Sequence, residues 1–209
     1  EAQRARLDRI GWDRYERTVD RTPPKPLTYR ENLEARVLRH SDRQAQEELA
    51  FYLTALKEAR AALPHLEMVA FLKKSPRAGE AAWELFRIAA PTGAQPDAKR
   101  AERYLQEAVA LKYPEAMFTQ GRAWLSGDPQ LGIGADLPRG LALLEAVLQA
   151  DVAWYSGQAG EILFREYAFG LKGRADAEKA IAVTRRMRAR NAGKSVENWQ
   201  EDATVELLI

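Results

Sequence analysis

Apolar positions along the chain recur three and four residues apart in short stretches, which is the spacing of one face of an α-helix. No stretch alternates apolar and polar residues for long enough to predict a β-sheet. Helix starts are also marked locally. Thr28 to Glu31 and Ser41 to Gln44 fit the capping box, and Pro76 and Pro114 suit the first turn of a helix. The pattern therefore predicts a chain of short helices.

One type of helix start occurs three times at nearly constant spacing. Asp97, Asp136 and Asp176 lie 39 and 40 residues apart, and each stands three residues before a basic residue and four before a small one. Aspartate is a favoured N-cap because its carboxylate accepts unpaired backbone N–H groups. A repeat of this length predicts stacked helical units. The small residues lie one turn into each helix, where they allow a neighbouring helix to approach. They are Ala101, Gly140 and Ala180.

The helix before each aspartate repeats as well. In its clearest copy the order is a leading alanine, a second small residue, an aromatic residue and then a glycine. The alanine would let the paired helix come near, the aromatic residue would fill the space between pairs, and the glycine would end the helix in a left-handed conformation. The three sets are Ala81, Phe86, Ala89 and Thr92; Ala116, Gly121, Trp124 and Gly127; and Ala159, Phe164, Tyr167 and Gly170.

Together these residues resemble the Sel1-like repeat, a relative of the tetratricopeptide repeat, with the pattern A-x-x-x-L-G-x-x-Y-x-x-G, a loop, and D-x-x-K-A. The spacing agrees and several letters differ. Gln120 stands at the leucine position, Phe86 and Phe164 replace the helix glycine, Trp124 replaces tyrosine, and Gly140 replaces alanine. The resemblance implies an all-α fold, specifically a right-handed α-solenoid of antiparallel helix pairs.

The predicted organisation has four segments. Residues 1–22 predict an N-terminal helical arm, 27–76 predict N-terminal helices with a diverged repeat as an open alternative, 77–194 carry the Sel1-like repeats, and 195–209 predict a C-terminal capping helix. The diverged repeat rests on Ala45, Leu49, Ala50 and Leu53, which lie 36 residues before the first clear set. The loop from residue 127 to 136 is longer than its counterpart from 170 to 176, and we expect it to protrude.

Composition narrows the functional classes. Lysine and arginine exceed aspartate and glutamate by only two, so the weak overall field argues against nucleic acid as a partner. The absence of cysteine excludes disulfides and cysteine-ligated zinc. No apolar stretch is long enough for a transmembrane helix. The first residues do not form a signal peptide and lack an initiator methionine, so we expect a processed or truncated product. The compartment stays open, with the periplasm favoured over the cytoplasm.

No set of residues predicts catalysis, and we expect no catalytic residue, metal ion or cofactor. His40, Ser41 and Asp42 are adjacent in sequence, so their side chains point apart and cannot form a catalytic relay. His65 follows Pro64 at a predicted helix start and is expected to be a packing residue. Motifs for phosphate, dinucleotide, zinc and calcium sites are absent from the sequence. The sequence therefore favours a protein that is not an enzyme.

Equivalent positions on the first helices predict a partner-binding face, because stacking brings such positions into line. Arginine stands six residues after each leading alanine, and aromatic or acidic residues stand two after it. Arginine and aromatic residues are enriched at binding hot spots. The alternatives are that the aromatic residues belong to the core, or that the 127–136 loop binds instead. The predicted face consists of Trp83, Arg87, Phe118, Arg122, Glu161 and Arg165.

The expected function is the non-catalytic binding of a protein partner. Sel1-like proteins act as scaffolds or adaptors, and some bacterial members are immunity proteins that block a toxin secreted by neighbouring cells. The resemblance thus implies, as the most specific expectation, an immunity protein that neutralises a secreted toxic effector, for example one of type VI secretion. Alternatives are an envelope or signalling scaffold, a hydrolase that uses scattered carboxylates, and a carbohydrate binder that uses Trp124, Trp154 and Tyr155. The partner and the oligomeric state stay open.

Overall fold

The computed structural model describes residues 27–71 and 75–191, and within these ranges it contains nine α-helices and no strand. The fold of this part of the chain is all-α, as predicted. The predicted arm (1–22) and capping helix (195–209) lie outside the described residues. The helices are α1 (Tyr29–His40), α2 (Arg43–Ala55), α3 (Ala59–Phe71), α4 (Ala78–Ala89), α5 (Ala98–Ala110), α6 (Pro114–Ser126), α7 (Leu137–Ala150), α8 (Ala153–Phe169) and α9 (Ala177–Asn191).

Each helix packs against the next one along the chain, and α6 also contacts α8. The most extensive contacts are those of α4 with α5 and of α6 with α7, which are two of the predicted helix pairs. The contact between α6 and α8 brings together the first helices of two successive pairs. Side chains at equivalent positions on these two helices can therefore share one surface.

The three predicted aspartate caps are confirmed, and they make the same hydrogen bonds in each repeat. Each Asp Oδ1 accepts the backbone N–H three residues later, at 3.0 to 3.1 Å. Each Asp backbone N–H donates to a carbonyl in the preceding helix, at 2.7 to 2.8 Å. The accepting carbonyls belong to residues that the sequence placed in equivalent positions, so the predicted repeat register is the observed one. The pairs are Asp97 with Ala89, Asp136 with Trp124, and Asp176 with Tyr167.

The small residues lie where helices of a pair meet. Ala81, Ala116 and Ala159 are completely buried. In the α6–α7 pair each helix contributes a glycine to the contact, Gly121 and Gly140. The backbones lie too close for a side chain here, since a Cβ added at Gly140 would lie 2.9 Å from the carbonyl oxygen of Gly121. The prediction that small residues permit close helix approach is therefore confirmed at this pair.

The core consists of two clusters that both include residues of α6. The first extends from α1 to α6 and includes the completely buried Leu66 and Leu85, and the second extends from α6 to α9 around Leu144 and Leu163. Within α6, Ala116 belongs to the first cluster and Met117 to the second. This helix joins the N-terminal helices to the last two repeats. On α2, the four positions that suggested a diverged repeat are all at most 1% exposed: Ala45, Leu49, Ala50 and Leu53.

Several predicted helix boundaries require correction. Thr28 caps α1 with the predicted capping box, but Ser41 is the left-handed residue that ends α1. The N-cap of α2 is Asp42, whose carboxylate accepts two backbone N–H groups. Pro64 lies inside α3 rather than at its start, and α4 begins at Ala78, two residues after the proline that was expected to open it.

The expected protrusion of the 127–136 loop is wrong. A bridge pairs Asp128 with Ile133, and the side chains of Leu131 and Ile133 are buried in the first core cluster. Burial of these two apolar side chains holds the loop against the helices. Gly170 ends α8 in the left-handed helical conformation, as predicted. Gly127 follows α6 with φ 77° and ψ 153°, which is not that conformation, so the prediction is wrong there.

Candidate functional site

An open groove of about 770 Å³ lies between α6, α8 and the segments that follow these helices. Four of the six predicted binding residues line it: Phe118 and Arg122 from α6, and Glu161 and Arg165 from α8. Its volume is typical of ligand-binding clefts, which occupy roughly 300 to 1,000 Å³. The structure thus brings together the predicted residues of the last two repeats.

Helical geometry explains why these residues share the groove. Phe118 and Arg122 are four residues apart on α6, and Glu161 and Arg165 are four apart on α8, so each pair lies on one face of its helix. The direct contact between α6 and α8 places these faces side by side. Phe118 is buried at the base, whereas both arginines are exposed.

The positively charged groups of the groove differ in how they are paired. Arg165 makes an ion pair of 2.8 Å with Glu161. Lys172 Nζ donates to the Leu125 carbonyl at 3.1 Å and also to the Ser126 hydroxyl, so it caps the C-terminal end of α6. Arg122 lies over the Phe118 ring, 5.7 Å from its centroid, and forms no ion pair with any described residue.

The carboxylates that line the groove all have partners. Glu166 is 7% exposed and accepts the backbone N–H of Lys172 at 3.1 Å. Asp128 Oδ1 accepts the backbone N–H groups of Gln130 and Leu131, at 3.0 and 3.2 Å. Glu161 is held by Arg165. Arg122 is therefore the one charged group lining the groove that makes no hydrogen bond or ion pair with another described residue.

An aromatic cluster adjoins the groove. The Phe118 ring centroid lies 5.6 Å from that of Tyr155 and 6.4 Å from that of Trp154, and the latter two rings meet edge to face at 4.7 Å. Trp154 is 61% exposed. Burial raises the pKa of Tyr155, the negative charge of Glu115 raises it further, and the positive charge of Arg87 opposes this. The cluster therefore offers an exposed indole beside the groove.

The remaining two predicted residues, Trp83 and Arg87, lie on α4 outside the groove. Trp83 is half-buried, and its ring stacks on Phe86 with centroids 5.0 Å apart. It therefore follows the alternative in which the aromatic residues pack the core. Arg87 is exposed and pairs with Glu84 at 2.9 Å. The six residues do not form one uniform stripe, although the charge of Arg87 acts on Tyr155.

The predicted binding face omits some residues that lie at the groove. Trp154 was named only as a candidate carbohydrate contact, and Leu171 and Lys172 follow α8 in a segment without helical periodicity. Leu171 is 63% exposed and lines the groove. The one sequence signal near them was Gly170, which correctly predicted where α8 ends. Trp124 does pack as expected, half-buried against the first core cluster.

His65 makes a structural contact. Its Nδ1 accepts a hydrogen bond of 2.8 Å from the Gln46 side-chain amide, and Gln46 is buried. Burial lowers the pKa of His65, and the charge of Glu34 partly opposes this. Across residues 27–71 and 75–191, no three His, Cys, Asp or Glu residues are grouped closely enough to bind a metal ion. None of the helices in these ranges has the length and apolarity required to cross a bilayer.

Neither protein-family models nor curated proteins match this chain. The resemblance to Sel1-like repeats therefore rests on the residues and spacing of this sequence.

Proposed function

We propose that the chain is a non-catalytic repeat protein that binds a protein partner, and that its helix pairs form a right-handed Sel1-like α-solenoid. Two features support the repeat architecture: the three aspartate caps with identical hydrogen bonds, and the contact between α6 and α8. The observation that carries the binding function is the shared groove, because equivalent residues of two repeats meet there.

The chemistry of the groove favours recognition of a protein surface. Arg122 offers donors in a planar fork, Trp154 offers a large exposed ring, and Leu171 offers exposed apolar area. Arginine and tryptophan are the residues that most often dominate the energy of protein interfaces. A partner that covers all three would bury apolar surface and pair the arginine.

The more specific proposal is an immunity protein that neutralises a secreted toxic effector, such as one delivered by type VI secretion. Its support is the resemblance to Sel1-like proteins, some of which have this role. The alternative is an envelope or signalling scaffold, which would hold several partners. Fold-level analogy cannot choose between these two, so the partner itself must be identified.

The first experiment uses the folded chain as bait in a lysate of the native organism, with mass spectrometry of the retained proteins. One dominant toxin-like protein, whose activity the chain inhibits when both are purified, would support immunity. Several assembly or signalling proteins would support a scaffold. Retention of the same proteins by a bait with Arg122 and Arg165 both changed to glutamate would contradict binding through the groove.

Charge reversal then measures the contribution of the face. We expect Arg122→Glu and Arg165→Glu each to raise the dissociation constant for the purified partner at least tenfold, which is about 1.4 kcal/mol. Arg87→Glu should have a smaller effect because Arg87 lies outside the groove. The matched control is Arg185→Glu, which makes the same charge change at an exposed site on α9. Equal weakening by the control would indicate a general charge effect instead.

A carbohydrate-binding function is the second candidate, and the exposure of Trp154 beside Tyr155 favours it. Exposed aromatic rings stack on the apolar faces of sugars. Quenching of tryptophan fluorescence by soluble peptidoglycan fragments, lost in Trp154→Phe with its smaller ring, would support this function. Unchanged fluorescence at millimolar fragment concentrations would exclude it for this site.

A further inference from the structure

The partner chemistry of the groove can be worked out from what its residues leave unpaired. Arg165, Lys172, Glu161, Glu166 and Asp128 all have partners within the protein. Arg122 alone among the groove's charged residues makes neither a hydrogen bond nor an ion pair with another residue of the described structure. The guanidinium of Arg122 therefore presents donors that fit a planar carboxylate.

Apolar side chains line the groove together with Arg122. Phe118 lies beneath its guanidinium, and Ile162 and Leu171 line the same groove. Leu171 is 63% exposed, so it offers apolar surface within the groove. A ligand that pairs with Arg122 and covers the apolar lining would thus carry an apolar side chain beside a carboxylate.

The fixed carboxylates of the groove argue against a polyanion. Asp128, Glu161 and Glu166 line the same groove as Arg122, so a row of phosphates laid along it would meet three negative charges. A single carboxylate needs only the guanidinium of Arg122 as its partner. A peptide can supply this arrangement, because neighbouring residues can be acidic and apolar.

We propose that the α6–α8 groove binds an acidic–apolar peptide segment of the partner, with one Asp or Glu carboxylate paired to Arg122 and a neighbouring apolar side chain against Phe118, Ile162 and Leu171. This inference rests on the proposed protein-binding function and specifies the chemistry of that same site. The exposed Trp154 extends the apolar contact beyond the groove.

The test uses NMR of the full chain, labelled with ¹⁵N, and the capped hexapeptide Ser-Leu-Phe-Glu-Leu-Ser. The comparison peptide replaces glutamate with glutamine, so that only the charge differs. We expect the glutamate peptide to shift the Arg122 Nε–Hε signal and the Leu171 amide, and to bind about fivefold more tightly than the glutamine peptide. A fivefold preference corresponds to about 1 kcal/mol, the size of an exposed ion pair.

Variants identify the group responsible. Arg122→Gln should abolish the preference for glutamate, Arg122→Lys should retain part of it, and Arg185→Gln should leave it unchanged. The proposal is overturned if the two peptides bind equally, if neither shifts the groove signals, or if the preference survives in Arg122→Gln. It is also overturned if inorganic phosphate or a ten-residue oligothymidylate shifts Arg122 while the glutamate peptide does not.

The peptide and lysate experiments distinguish failure of the acidic-peptide proposal from failure of the protein-binding proposal. If a captured partner depends on Trp154 and Arg165 but binds Arg122→Gln normally, the protein-binding function stands and the acidic-peptide proposal fails. If the glutamate peptide binds as expected but a purified candidate partner does not, the groove chemistry stands and that partner is wrong.

Discussion

Replacing Gly140 with alanine adds one methyl group at the closest approach of α6 and α7. The new Cβ would lie 2.9 Å from the Gly121 carbonyl oxygen, 3.0 Å from Leu125 Cδ2 and 3.2 Å from the Leu125 backbone nitrogen. The carbonyl oxygen and the nitrogen are backbone atoms of α6, so rotating a side chain cannot relieve these contacts. We therefore expect the two helices to move apart.

The magnitude follows from two opposing effects. Alanine is favoured over glycine inside a helix by about 0.5 to 1 kcal/mol. Overpacking in a well-packed interface costs about 1 to 3 kcal/mol. The contact involves backbone, so the cost should fall in the upper part of that range, and we expect Gly140→Ala to lower the free energy of unfolding by about 1 to 2 kcal/mol. The melting temperature should fall by about 2 to 8 °C.

The matched control is Gly157→Ala, also inside a helix. The three atoms nearest to its added Cβ all belong to the Arg190 side chain, with Nη2 nearest at 3.2 Å, so a small shift of that side chain relieves the contact. The helix preference of alanine then outweighs the contact, and we expect a gain of up to about 0.5 kcal/mol. The assay is urea unfolding followed by circular dichroism at 222 nm. A Gly140→Ala protein at least as stable as the wild type, with Gly157→Ala also stabilised, would refute the close approach of α6 and α7.

Three further predictions follow from buried or capping groups. Gln120 is 6% exposed, and its Oε1 has no hydrogen-bond partner among the described residues. Because equivalent positions hold leucine, Gln120→Leu should raise the free energy of unfolding, measured by urea titration, by about 1 to 2 kcal/mol. Asp136→Ala should cost about 1 kcal/mol by removing the cap of α7, whereas Asp136→Asn should retain most stability; equal losses would contradict the capping role. Burial lowers the pKa of His65 below 6.5, so the unfolded chain binds its proton more readily and stability should fall as the pH drops from about 7.5 to about 5.5. His65→Gln should flatten this dependence, and an unchanged slope would show that other groups cause it.

The sequence predicted best where local chemistry decides the structure. The caps at Asp97, Asp136 and Asp176 need only a carboxylate and the next three residues, so their pattern was sufficient. At the start of α2, either Ser41 or Asp42 could cap on local grounds alone. Asp42 is selected with the help of Arg36 on the preceding helix, which donates to its carboxylate at 2.6 and 2.9 Å. That contact crosses from one helix to the next and has no signature in the repeat pattern.

Contacts between distant residues account for the other differences. The loop after α6 was expected to protrude because it is long and rich in glycine, but the apolar side chains of Leu131 and Ile133 can be buried in the core. Lys172 lines the groove and donates to the carbonyl of Leu125, 47 residues away in sequence. Trp154 is exposed although tryptophan is usually mostly buried. Helical periodicity carries no information on these two contacts or on the exposure of Trp154.

The second helix pair, α6 and α7, departs from the repeat pattern at three positions, and α6 forms one wall of the groove. Gln120 replaces leucine in the core, Trp124 replaces tyrosine, and Gly140 replaces alanine at the α6–α7 contact. A buried amide with an unpaired oxygen costs stability, and glycine inside a helix does so as well. Departures from local rules concentrate at functional sites, where selection acts on function rather than stability. The same helix carries Phe118 and Arg122, so the buried amide of Gln120 lies on the helix that forms one wall of the proposed site.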